Sequence, residues 1–496
     1  MRLTASGLCG LVAFGVTVAG MPVATGAPTT SGITWGRCAD ASLRKAHAQC
    51  GTLSVPFDYA NPAGRHIAMA VSRIRATAPA AEREGPLVTN YGRIEAPANL
   101  PDAFPPSLRA RFDLIGYDPR GEGSTAPMDC RTSQLDGPRQ PAVEPVTGPA
   151  QAPGANEQAW LRRSATYAAA CAARYGTALR HYTSADVARD LDRLRVALGV
   201  DQISYLAHMS GSYTAPQYLS LFPTHVKRVV IDGPLDPRRA GFARAFEDVT
   251  ATQGALKRFF AWVAGHRATY HLGVDPAAVR RRYVTAEQAL AKHPVGDVGS
   301  TEWVDAIGLP TLDSTTWPDA ATTFAAWVHG DHKPLRSLFA ASPVTAADRA
   351  DEAIYWARLC DDGIWPHSYS IWRRDAFTAA AKAPLVTWDL VLSALVCRTW
   401  AGQQPPTPIT GSSLPTLLLV ASAADTGRFD GALVMRRRFP HAVLITTGGA
   451  ATDPMFAGNE CVDDLVTRYL ADGQLPPRAA GHRADVACPG PADPTP

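Results

Sequence analysis

The chain carries none of the short signatures that announce a cofactor. There is no HExxH, no phosphate-binding P-loop, no GxGxxG and no C-x-x-C pair in its 496 residues. The commonest zinc, nucleotide and dithiol chemistries are therefore excluded, and neither a cofactor nor a metal is implied. One-sided charge is lacking too. Lys and Arg number 48 against 45 Asp and Glu, a net charge of +3 with a pI near 8.4. That balance is too mild for a nucleic-acid partner. The triplet Arg436, Arg437, Arg438 reads as a solvated helix face and not as a binding patch. No internal repeat or long low-complexity run occurs, and the 41 prolines and 40 glycines are spread along the chain as loop residues.

Long apolar runs are also scarce. The one near the N-terminus, Leu8 to Gly20, follows a single basic residue, Arg2, and precedes the small-residue stretch VATGAPTT. It is too short for a stable membrane span and fits a secretory signal peptide cleaved near Ala27. The expectation is an extracellular protein with no membrane association once the signal is removed. Cys9 falls within that peptide, which leaves Cys38, Cys50, Cys130, Cys171, Cys360, Cys397, Cys461 and Cys488. An even count in an exported chain argues for disulfides. Nearest neighbours would pair as 38 with 50, 130 with 171, 360 with 397 and 461 with 488, a connectivity that sequence leaves open.

What is present is a chain long enough for a large core, 46% hydrophobic and 19% charged. CGTLSVPFDY (Cys50 to Tyr59) and HIAMAVSRI (His66 to Ile74) read as antiparallel strands. GPLVTN (Gly85 to Asn90) and FDLIGYD (Phe112 to Asp118) read as short buried ones. Between the last two lies a Pro-rich loop, Tyr91 to Pro106. Gly137 to Ala155 is Pro-, Ala- and Gly-rich and reads as an exposed excursion closed by the 130 to 171 pair. Thr183 to Leu198 is an amphipathic helix with Ser184 as N-cap. Pro237 to Gln404 is helical in period and rich in Trp and Ala, after which PTLLLVA and AVLITT resume buried strands and CVDDLVTRYL closes as a helix. Strand and helix alternating around one helical insertion implies an α/β fold, with a mostly parallel sheet and a helical cap. The expected division is a signal peptide at 1–27, a first core part at 28–236, the cap at 237–404 and a second core part at 405–496.

The stretch that organises the rest is QISYLAHMSGSYTAPQYLSLFPTHVKRVVIDGPLD, from Gln202 to Asp236. It reads as a strand (Ile203 to Ala207), a sharp turn, a helix from about Ser210 to Phe222 and a second strand (Val226 to Ile231). This resembles the strand, elbow and helix of an α/β-hydrolase, in which small residues two before and two after the nucleophile let a strained turn close. Ala207 and Gly211 are those small residues. The residue midway is Met209, whose thioether cannot be deprotonated into a nucleophile.

With CGTLSVPFDYANP, FDLIGYDPRGEGST, YTSADVARDLDRLRVALG, LFPTHVKRVVIDGPLDP and CVDDLVTRYLADGQLP, the chain resembles the secreted tripeptidyl-aminopeptidase-like branch of the α/β-hydrolases over nearly all its mature length, including that family's C-terminal region. The resemblance implies an α/β-hydrolase fold and release of short peptides or amino acids by a Ser, Asp and His triad beneath a cap. Where that family has G-x-S-Y-G-T-Y, this chain has Ala207, His208, Met209, Ser210, Gly211, Ser212, Tyr213. The family's acid falls on Ala424, with Asp425 next to it, and its histidine, eight residues before the cysteine of C-V-D-D, falls on Asp453. The glycine-rich oxyanion loop is Gly92, Arg93, Ile94, Glu95.

The departures point to a replacement acid/base site. Asp453 stands in the base's place, His208 flanks the elbow, and Arg93 and Glu95 replace oxyanion-loop glycines, with Tyr91, Met209, Ser210 and Asp425 expected to contact substrate. Each has a plainer reading. Met209 can be a core plug, His208 a hydrogen-bonded wall, Arg93 and Glu95 a loop ion pair, and Asp453 before Pro454 a turn former. Three functions compete: a non-hydrolytic acid/base enzyme (cyclisation, elimination or epimerisation) on a small molecule or peptide, a non-catalytic binder of peptides or metabolites, and a residual peptidase or esterase using Ser210. A gene placed in a natural-product cluster would favour the first.

Overall fold

The computed structural model describes residues 32–90, 95–100, 104–133, 139, 148, 151–208, 211–340, 344–411, 414, 416–422, 426–448, 455–456, 458–490 and 492–496. Its frame is a ten-stranded sheet: β1 (Gly36–Arg37), β2 (Gln49–Pro56), β3 (His66–Ile74), β4 (Gly85–Thr89), β5 (Phe112–Tyr117), β6 (Ile203–Ala207), β7 (Val226–Asp232), β8 (Leu417–Ser422), β9 (Ala442–Thr447) and β10 (Val486–Cys488). In space the order is β1-β2-β3-β5-β4-β6-β7-β8-β9-β10. β1, β2, β3 and β5 pair antiparallel, and every pairing from β5 through β4 to β10 is parallel. The predicted α/β class with a mostly parallel sheet is the observed one.

The parallel strands read as continuous apolar runs because both faces are covered. Successive side chains alternate between faces. Leu417, Leu419 and Ala421 of β8 join the cluster on one face, with the helices Ser184–Ala197 and Gly211–Leu221, while Leu418 and Val420 join the cluster on the other, with the helix Glu460–Asp472. All four expected cysteine pairs are formed. No helix among the described residues is long and apolar enough to cross a membrane.

Between the adjacent strands β7 and β8 the described chain is helical, apart from one isolated bridge between Val295 and Val298. Hydrophobic packing splits this insertion in two. Residues from Val249 to Leu335, joined by Ala383, Leu385 and Val386, form a core of their own around Trp303, Trp317 and Phe324. Residues from Ala353 to Trp400 pack into the main core. The second group is also pinned by the Cys360–Cys397 bridge and by the buried pair Arg373–Glu157 at 2.9 Å.

Local chemistry corrects two sequence expectations and adds two helices. Thr183, not Ser184, caps the helix Ser184–Ala197: its side chain accepts from the Asp186 amide, while Ser184 donates its amide and its hydroxyl to Asp362. Arg436 is not on a solvated face. It is 2% exposed and bonds Asp485 through both Nε and Nη2, while Arg437 and Arg438 are exposed. A helix not singled out from the sequence, Pro106–Arg111, begins where the expected loop ends. The expected excursion ends at a long helix, Ala155–Tyr175, which sequence reading missed because its Ala- and Arg-rich turns have a weak apolar stripe.

Candidate functional site

In an open parallel sheet, ligands meet the chain beyond the C-terminal ends of the strands. β4, β6 and β7 lie side by side, and each delivers one polar residue there: Asn90 just past β4, His208 just past β6, and Asp232 as the last residue of β7. All three are buried, at 6%, 8% and 3% exposure.

Asn90 fixes the elbow. Its Nδ2 donates to the His208 carbonyl at 2.8 Å and its Oδ1 accepts from the His208 amide at 2.9 Å, so one side chain satisfies both backbone polar groups of the residue turning off the sheet. The same carbonyl accepts from the Gly211 amide at 2.9 Å. This packing explains the glycine. A Cβ at Gly211 would stand 2.2 Å from the Asn90 amide nitrogen, a separation no side chain can adopt.

His208 turns its ring toward β7, with Nδ1 3.2 Å from Asp232 Oδ2. A carboxylate can only accept, so Nδ1 carries the proton and Nε2 is the nitrogen able to take up or give up another. The other Asp232 oxygen, Oδ1, is buried with no hydrogen-bond partner among the described residues. The Asp232 carbonyl accepts from the Ser212 hydroxyl, tying the first turn of the elbow helix to the same strand end. Gly233 then turns the chain away at φ 65°, a left-handed conformation suited to glycine, with its amide bonded to the Val420 carbonyl at 2.9 Å.

The insertion packs on the elbow helix. The Arg244 guanidinium sits 3.5 Å from the centroid of the Tyr213 ring. Beside it, Glu247 is 4% exposed, and burial pushes its carboxyl up to about 7 although the nearby Arg244 draws it down. Glu247 Oε1 accepts from the Asp236 amide at 3.3 Å. More than half of Tyr355 is open to solvent, yet its surroundings are dense enough to hold the phenol's pKa well up, with Tyr213 and Asp248 adding to the effect.

Of the residues expected from sequence, Tyr91, Arg93, Met209, Ser210, Ala424, Asp425 and Asp453 lie outside the described residues. His208 is at the strand end, and its carboxylate partner there is Asp232, which the sequence reading did not single out. Glu95 opens a turn, its carbonyl accepting from Ala98 and Asn99, with its side chain half-buried. Asp232 and Asn90 did carry a signal, since each is a polar residue ending an apolar strand of a parallel sheet. Among the described residues no cluster of His, Cys, Asp and Glu could hold a metal ion. The arrangement can orient an imidazole and move a proton through it.

Residues 86–348 match the family described as alpha/beta hydrolase fold, and residues 383–488 match the TAP-like protein family. The tripeptidyl aminopeptidase of Streptomyces lividans is 34% identical over 96% of this chain and 90% of its own length. Carboxylesterase B of Mycobacterium tuberculosis is 29% identical, covering 94% of this chain and 96% of that protein. The serine protease Hip1 of Mycobacterium tuberculosis is 28% identical over 87% of each.

Proposed function

This chain belongs to the α/β-hydrolase family, in its tripeptidyl-aminopeptidase-like branch, and we propose that it is an exported member that moves protons instead of transferring acyl groups. The observation that carries this reading is the His208–Asp232 pair, buried beside the position where the branch has its nucleophile and this chain has Met209. The substrate is a small molecule or a peptide carrying an acidic C–H or a leaving group. The reaction is a cyclisation, elimination or epimerisation, in which His208 exchanges the proton through Nε2 while Asp232 holds Nδ1. A positioned base of this kind is worth about 10² to 10⁴ in rate and needs no covalent intermediate. Asp453, in the place of the branch's histidine, is the second acid/base group of the proposal. Export is supported by the four disulfides, which persist in oxidising compartments.

The experiment has a negative and a positive arm. A fluorophosphonate probe should leave the protein unlabelled, tripeptidyl and aminoacyl chromogenic substrates should not turn over, and Met209→Ser alone should not restore turnover, because a triad without its other members loses most of its rate. Stoichiometric labelling at Ser210 would overturn the reading. In the positive arm, short peptides incubated with the protein in D₂O should gain deuterium at an α-carbon or lose a β-substituent, and His208→Ala should abolish either change. A second reading, a non-catalytic binder of peptides or metabolites, is favoured by the low exposure of His208. It becomes the better one if ligands bind but exchange no deuterium.

A further inference from the structure

The two links between sheet and insertion face one another across a cleft of about 260 Å³, which also reaches Ser212 and Tyr213 at the start of the elbow helix. The outgoing link contributes Leu235 to Ala240 and the returning link Pro406 to Ile409. The floor comes from the helices Gly211–Leu221 and Thr426–Arg438, through Pro216, Gln217 and Met435.

Its charge is one-sided once existing bonds are counted. Four guanidinium groups line it, Arg238, Arg239, Arg244 and Arg438, against two carboxylates, Asp236 and Asp362. Asp236 is held by Arg238 through contacts of 2.9, 3.2 and 2.6 Å. Asp362 accepts from the Ser184 amide at 2.8 Å and its hydroxyl at 2.6 Å. That leaves Arg239, whose nearest carboxylate oxygen is 3.7 Å away on the already engaged Asp236, and Arg438, which donates one N–H to the Ile409 carbonyl at 3.0 Å. A guanidinium has five N–H donors in a planar fork suited to oxyanions. Gln217 adds an independent sign, since its Oε1 is buried with no partner among the described residues. Between these polar groups the wall is apolar: Leu235, Pro408, Ile409 and Met435.

We propose that this cleft is a second binding site, for a small organic anion whose carboxylate or sulfonate head meets the arginine rim and whose apolar body lies against the proline- and leucine-lined wall. The volume falls just below the roughly 300 to 1,000 Å³ of drug-sized sites, so the ligand is a small molecule and not a length of peptide. Because both covalent links form the walls, an occupant restrains how the insertion is seated on the sheet. Asn90, His208 and Asp232 are not among its lining residues, so binding here does not require chemistry at those three side chains.

The test is calorimetric titration at low ionic strength with three probes: sodium octanoate, octyltrimethylammonium and inorganic sulfate. Octanoate should bind at least about tenfold more tightly than either of the others, because only it offers both the anionic head and the apolar body. The doubly substituted Arg239→Ala, Arg438→Ala protein should lose about tenfold or more in octanoate affinity. Both side chains are on the surface, and circular dichroism will confirm that the variant is folded. Arg374→Ala, at an exposed position outside the cleft, should bind octanoate as the parent does. Unchanged octanoate affinity in the double variant, equal affinity for the cationic probe, sulfate matching octanoate, or no octanoate binding would each overturn the proposal.

Discussion

His208 and Asp232 are brought together by strand register. β6 and β7 run parallel with Ala207 opposite Ile231, so the next residue of each strand emerges on the same side of the sheet, and the imidazole and carboxylate meet at 3.2 Å. A one-residue slip of either strand would turn one of the two side chains to the opposite face. The pair is therefore as fixed as the core beneath it, the rigidity required of a group that must hold one tautomer.

Urea denaturation of three variants tests that coupling. His208→Ala leaves a buried carboxylate with neither oxygen paired among the described residues and should destabilise the fold by about 3 to 5 kcal/mol. Adding Asp232→Asn removes the stranded charge, so the double variant should be more stable than His208→Ala alone by at least about 1 kcal/mol. A double variant no more stable than the single one would mean that the carboxylate does not depend on the imidazole.

Asn90 and Gly211 give a second cycle. Gly211→Ala forces its new methyl into the Asn90 amide and should cost about 1 to 3 kcal/mol, as overpacking usually does. Asn90→Ala strands the His208 amide and should cost a similar amount. In the Asn90→Ala background the clash disappears, so Gly211→Ala should then be nearly neutral. Strict additivity of the two losses would contradict the packing described.

Glu247 sets a pH dependence. Its folded carboxyl is pushed up to about 7, chiefly by burial, whereas an unfolded glutamate titrates near 4.3. The folded state thus binds the extra proton between those values, so stability is greatest below the unfolded pKa and falls as pH rises toward 7. Glu247→Gln keeps the acceptor for the Asp236 amide and removes the titration. Melting temperatures of the wild type and variant should be close at pH 5. At pH 8 the variant should melt higher, by an amount equivalent to a few kcal/mol at most. A wild type whose stability rises relative to the variant between pH 5 and 8 would contradict a buried, neutral-leaning Glu247.

Some of the site was legible in the chain and some was not, for identifiable reasons. The apolar runs ISYLA and VKRVVI mark two neighbouring strands, and small residues at Ala207 and Gly211 mark a tight turn between strand and helix. His208 stood out because it sits inside that turn. Asp232 did not, because an aspartate after an apolar strand is also an ordinary strand end, and only the pairing of β6 with β7 says whose side chain it faces. Arg436 misled for the same reason: three consecutive arginines look solvated, but a helix sends consecutive side chains in different directions, and one of the three faces Asp485, 49 residues away.

The sequence by itself determined the class of the fold, the position of the elbow and the helical character of the long insertion, because each rests on local periodicity; it suggested the cysteine pairs by nearness along the chain, and the structure decided them. Only the tertiary structure decided that Asn90 clamps the His208 peptide from 118 residues away, that Asp232 holds the imidazole, and that half of the insertion belongs to the main core while the other half packs on itself. Those outcomes depend on strand order and register, which bring together residues distant along the chain whose side chains carry no local mark of their partners.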